Sequence, residues 1–141
     1  MANDFWQKHS LKFLEMAYRA DRCERVFSAD GQGEKAGDCG DRVGFFLKVD
    51  HGRISAVSYR IEGCIHTNAC ANALIELVEG KTVAEAWQVD PEAVATYLET
   101  LPEDHFHCAE LAVGAFYLAL ADSQRRRSTV ERIYGTRRSI R

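Results

Sequence analysis

Three cysteines of this chain have neighbours that make metal chemistry plausible: Cys39 in GDCGD, Cys64 in GCIHTNAC and Cys108 in HFHCAELA. Asp41 follows Cys39 by two residues, and His107 directly precedes Cys108. Thiolates are the ligands of zinc and of iron–sulfur clusters, and a carboxylate or an imidazole would complete a four-donor set. The competing reading is packing. Cysteine is among the most buried residue types, and any one of these alone reads as core. The separations, 25 residues from Cys39 to Cys64 and 44 from there to Cys108, match no short CxxC zinc pattern. On residue chemistry alone, a Cys₃ site completed by Asp41 or His107 and a set of core thiols both stay open.

Stepping from these residues to the elements that must place them, the pattern predicts an amphipathic helix over residues 4–20, with Phe5, Trp6, His9, Phe13, Met16 and Ala17 at helical spacing. ERVFSAD (residues 24–30) is a strand candidate for a sheet edge, and GQGEKAGDCGD reads as a glycine-rich connection. Val43, Phe45, Leu47 and Val49 then alternate, as do Val57, Tyr59 and Ile61, around a turn at Asp50-His51-Gly52; that is a hairpin. From Cys64 the period becomes helical, with Ala71, Leu74, Ile75 and Val78 on one face and Gly80 as a stop. Thr82-Val-Ala-Glu85 is a capping box, Asp90-Pro91 starts a helix to about Leu98, and a last helix begins near His107. The order is one helix, three strands and four helices, an α+β fold with helices on one sheet face. Each of the three cysteines falls at an element end, where distant parts of a chain converge. Cys64 and Cys108 also fall at helix N-termini, where the macrodipole favours a thiolate.

The chain has 141 residues, 46% of them hydrophobic, enough for one core without disulfide staples. Five cysteines, no signal-like N-terminus and no long apolar run point to a reducing, cytoplasmic setting and away from a membrane. The net charge of −3 hides an asymmetry: seven arginines against Glu131 give residues 124–141 a charge of +6, leaving −9 on residues 1–123. No aromatic interleaving supports nucleic-acid binding, and the tail reads as a solvated end.

CGD at 39–41, GC at 63–64 leading into NACANALIELVEGKTVAEA, LP at 101–102 and HCAELA at 107–112 resemble the IscU/NifU N-terminal family of iron–sulfur cluster scaffolds. The likeness runs from the opening helix to about Ser123, so residues 1–123 read as the scaffold domain and 124–141 as a basic C-terminal extension. The resemblance implies a small three-stranded antiparallel sheet packed against four to five helices. It also implies a non-enzyme that builds a transient [2Fe–2S] cluster and hands it to apo-proteins, with sulfur from a cysteine desulfurase. By that resemblance the metal ligands are Cys39, Asp41, Cys64, His107 and Cys108, and the sulfur acceptors Cys39, Cys64 and Cys108. Zn²⁺ suits the same donors, and the chain is expected as a monomer or weak homodimer.

The chain departs from the family after Leu101-Pro102, where Glu-Asp-His replaces the usual proline, valine and lysine; that puts recognition by specialised Hsp70/Hsp40 chaperones in question. Cys70, about one and two-thirds helical turns beyond Cys64, reads as a core residue, and Cys23 as structural. His66 reads as an exposed neighbour of Cys64; His9, His51 and His105 have no evident partner. The alternative functions are a zinc-dependent sulfurtransferase of SufU type and a structural zinc module. The absence of a long insertion between Cys64 and Cys108 argues for the IscU-like branch.

Overall fold

The computed structural model describes residues 9–38 and 40–139, the side chains of 128–139 excepted. Cys39 and the first turn of the expected opening helix, with Phe5 and Trp6, lie outside the described residues. The elements are α1 (Leu11–Tyr18), β1 (Gly31–Ala36), β2 (Arg42–Asp50), β3 (Arg53–Glu62), α2 (Ile65–Val78), α3 (Val83–Ala86), α4 (Pro91–Leu98), a 3₁₀ turn (Glu103–His105) and α5 (Phe106–Ser139).

The sheet is antiparallel in the order β1-β2-β3. β2 and β3 form the expected hairpin, with Val43 opposite Ile61, Phe45 opposite Tyr59 and Leu47 opposite Val57. Its turn is two residues long, and both His51 (φ 52°) and Gly52 (φ 76°) take the left-handed backbone that a type I′ hairpin turn requires. An irregularity between Lys48 and Val49 breaks the alternation, so Val49 is only half-buried while Val43, Phe45 and Leu47 are fully buried.

The edge strand corrects the expectation from the sequence. Residues 24–30 form no strand, and the edge is GQGEKA, from the stretch that reads as a connection. Propensity disfavours glycine in strands, but here the strand lies directly under α5. A Cβ on Gly33 would sit 2.5 Å from the Ala119 nitrogen, and one on Gly31 2.6 Å from Ser123 Cβ. The glycines are the price of that close approach. Asp122, buried on α5, fixes the contact by accepting from the Gln32 amide at 2.9 Å and pairing with Arg125 and Arg126.

α2 is the central helix, buried on nearly every side; its inward residues include Ala69, Cys70, Ala71, Leu74 and Ile75. Together with Tyr59 of β3 it also satisfies carbonyls at the C-terminal end of α1, which have no partner within their own helix. Asn72 Nδ2 donates to Met16 O at 2.8 Å, Asn68 Nδ2 to Ala17 O at 2.7 Å, and the Tyr59 hydroxyl to Arg19 O at 3.1 Å. α1 is held at its other end by Ser10, which accepts from the Phe13 amide at 3.0 Å and donates to Leu98 O at 2.9 Å. The capping box at Thr82 and Glu85 and the Asp90 cap of α4 form as expected.

The tight β1–α5 contact makes a direct prediction. Gly33→Ala should destabilise the protein by about 1–3 kcal/mol through overpacking. Gly44→Ala, whose new Cβ meets nothing nearer than 3.8 Å, should be close to neutral. Urea unfolding of the two variants checks the difference; equal effects would contradict it.

Candidate metal centre

β1 and β2 are joined by a short loop in which the Gly37 amide donates to Asp41 O at 2.8 Å and Gly40 takes a φ of 91°. That loop ends on Asp41, whose side chain crosses to the end of β3. There Gly63 makes room for it: a Cβ at position 63 would lie 2.9 Å from the Asp41 carboxyl carbon. The Thr67 hydroxyl, buried in the first turn of α2, donates to Asp41 Oδ2 at 2.6 Å and fixes the carboxylate's orientation.

Cys64 is the N-cap residue of α2, yet its side chain makes no capping bond. Its Sγ lies 3.8 Å from Asp41 Oδ2 and 3.6 Å from Thr67 Oγ1. Cys108 comes from the first turn of α5 and is fully buried. The donor atoms of Asp41, Cys64 and Cys108 all lie within 4.8 Å of one another. Three separate elements thus place two thiols and a carboxylate around one point, with Cys108 as its floor and Cys64 open to solvent. His107 Nε2 lies 3.7 Å from Cys108 Sγ, so this histidine is adjacent to the set. Of the candidate metal ligands, only Cys39 lies outside the described residues; the chain connects it to Asp41 through Gly40 alone.

The helix N-terminus does not govern the Cys108 thiol as the sequence suggests. Burial pushes it up to about 11, and the neighbouring Cys64 and Asp41 add to this, outweighing a hydrogen bond from Thr67. A cation between these groups would reverse that balance, because a metal holds its thiol ligands deprotonated. Cys70 is fully buried, and desolvation, with Cys108 and Cys64 nearby, raises its thiol well above the ordinary value. It is a core residue. Cys23 is exposed; its backbone forms an isolated bridge with Tyr59, and the side chain takes no part in the core.

Two histidines that stand apart in the sequence meet at the centre. His66 and His105 stack with ring centroids 3.7 Å apart and planes 7° apart. His66 is half-buried, not exposed, and its Nδ1 lies 3.8 Å from Cys64 Sγ. His105 Nδ1 lies 4.0 Å from Cys108 Sγ. The only sequence signals were position: His66 two residues after a cysteine, His105 three before one. His51, in contrast, is the exposed turn residue expected, paired with Asp50.

A small α+β domain thus gathers two thiols and a carboxylate, a donor set that could hold a metal ion, where a strand loop and two helix N-termini meet. Comparison with known proteins agrees and makes it specific. Residues 23–130 match the model of the NifU-like N-terminal domain, and the chain belongs to that family. It is 32% identical over 110 residues to the iron-sulfur cluster assembly scaffold protein IscU 1 of Archaeoglobus fulgidus, covering 77% of this chain and 72% of that one. Two solved structures share the fold, each with a TM-score of 0.67. One is an iron-sulfur cluster assembly scaffold protein for the SUF system from Fervidobacterium islandicum (20% identity, 81% of this chain and 97% of that). The other is the N-terminal part of a nitrogen-fixing NifU-like protein from Brucella abortus (17%, 82% and 94%).

The stacked histidines generate a pH prediction. His66 is surrounded by His9, His105, His107 and Asp104; burial first, then the neighbouring histidines, lower its pKa from 6.5 to about 4. The fold therefore holds the neutral ring, and the unfolded chain takes up the proton first as pH falls. The corresponding stability is intact above about pH 6.5 and drains away down to about pH 4. Metal-free His66→Gln should show a flatter stability profile across that window in denaturant titrations. Parallel profiles would show that His66 does not carry this pH dependence.

Proposed function

We propose that this chain is an iron–sulfur cluster assembly scaffold. The observation that carries the reading is the convergence of Asp41, Cys64 and Cys108 donor atoms within 4.8 Å, in a chain of the NifU-like N-terminal family. Cys39, two residues before Asp41, would supply the third thiolate, and His107 an additional or alternate ligand. The cargo is a [2Fe–2S] cluster, built from iron and from sulfur delivered to Cys39, Cys64 or Cys108 by a cysteine desulfurase, then passed to apo-proteins. The chain turns over nothing by itself.

The ligand chemistry suits a carrier. Soft thiolates give affinity for iron, while a hard carboxylate oxygen holds its side of the cluster less firmly. Exposure graded from the buried Cys108 to the open Cys64 gives the cargo an anchored edge and a reachable one. Zinc suits the same tetrahedral S and O donors, so a zinc-dependent sulfurtransferase is the competing reading. Among the described residues no helix is long and apolar enough to cross a membrane, in keeping with a carrier that meets its partners in solution. The first arginines of the basic extension, Arg125 and Arg126, are tied to the body through Asp122.

The test is anaerobic reconstitution with iron, cysteine and a cysteine desulfurase, followed by visible absorbance with iron and sulfide analysis. The chain should acquire a labile [2Fe–2S] spectrum. Cys39→Ser, Cys64→Ser and Cys108→Ser should each reduce it to background, and in Asp41→Ala the cluster should outlast that of the wild type. If zinc binds, no cluster forms and zinc accelerates sulfur release from the desulfurase, the sulfurtransferase reading replaces this one.

A further inference from the structure

The donor set of Asp41, Cys64 and Cys108 leaves His66 and His105 unused. These two belong to different elements, the first turn of α2 and the 3₁₀ turn before α5. Their rings nonetheless stack at 3.7 Å, and each aims a nitrogen at a thiol: His66 Nδ1 at Cys64 Sγ, 3.8 Å away, and His105 Nδ1 at Cys108 Sγ, 4.0 Å away. The donor atoms of Cys64, His66 and His105 all lie within 4.8 Å of one another, the same span that contains the first set. Zinc bonds of about 2.0–2.3 Å in a tetrahedron put donor atoms roughly 3.3–3.8 Å apart. Imidazole lone pairs lie in the ring planes, so the near-parallel stack must open for both nitrogens to reach one ion, and Cys64, His66 and His105, none of them fully buried, have room to turn.

We propose that Cys64, His66 and His105 form a second cation subsite, beside the Asp41–Cys64–Cys108 set and sharing Cys64 with it, that takes a borderline divalent metal such as Fe²⁺ or Zn²⁺. One thiolate and two neutral imidazoles carry a single negative charge, whereas two thiolates and a carboxylate carry three. The histidine side therefore holds a cation less firmly, and three protein donors leave a coordination position open to water. Cys64, the exposed and shared ligand, lets a cation arriving on the histidines move to the deeper set without leaving the protein. The subsite rests on this geometry and not on the scaffold reading, since cation binding is measured with no sulfur donor present.

The experiment uses the full chain with Cys39→Ser and Cys108→Ser, which leaves Cys64 as the one thiol among the proposed ligands, and titrates it anaerobically with Co²⁺ as spectroscopic probe. One equivalent should bind with a single-thiolate charge-transfer band. Adding His66→Gln and His105→Gln should weaken binding roughly tenfold or more, the order expected when metal-site support is lost. Unchanged Co²⁺ affinity in that variant, or no Co²⁺ binding by a folded parent, would overturn the subsite. Circular dichroism establishes folding. If the thiol-deleted parent is unfolded, imidazole nitrogen NMR of the wild type with excess Zn²⁺ decides: metal-bound shifts for His66 and His105 support the proposal, and a shift confined to His107 rejects it.

Discussion

The seating of α5 on the bare backbone of β1 is the constraint on which the centre depends. Gly31 and Gly33 allow helix and strand to touch, and Asp122 fixes the register through the Gln32 amide. Cys108 is carried at the start of that helix, while Asp41 and Cys64 arrive from the sheet end and from α2. A slip of α5 by one turn would move Cys108 by about 5.4 Å, more than the 4.8 Å that contains the whole donor set. Even a one-residue slip would rotate the thiol by roughly 100° away from its partners. A contact near the middle of the helix thus governs chemistry at its end.

The centre itself is a set of groups that compete for the same small space until a cation joins them. The fold accommodates Asp41 by leaving position 63 without a side chain and by providing the Thr67 hydroxyl. It accommodates Cys108 by keeping the thiol protonated through burial. In the proposed role, a divalent metal would offset the mutual repulsion of these groups and hold the Cys108 thiol deprotonated. Asn72 and Tyr59 bind the end of α1, and Cys70 is buried in the same core.

Much of this was legible in the sequence. The hairpin, the capping box, the Asp90-Pro91 helix start and the helices from Cys64 onward are local signals, and each is found; the strand expected over 24–30 is not. Cys64 and Cys108 at element ends, with Asp41 beside Cys39, were legible too, because convergence needs only that their elements end at one place. What escaped was non-local. The glycines of β1 mark a strand only once Ala119 and Ser123, almost ninety residues later, are known to press on them. The stack of His66 on His105 joins positions 39 residues apart, and no period or motif encodes it. Asn72 sat unnoticed inside an alanine-rich helix because the carbonyls it satisfies belong to α1.

The central claim is that thiolates and a carboxylate on three elements hold one metal ion together. X-ray absorption at the zinc edge, on the full chain loaded with one equivalent of Zn²⁺, tests it most directly. The structure predicts a mixed shell, with at least two sulfur scatterers at about 2.3 Å and oxygen or nitrogen at about 2.0–2.2 Å. Loss of one sulfur in Cys108→Ser should accompany it. A shell of oxygen and nitrogen alone, or one that is the same in Cys108→Ser, would contradict the account.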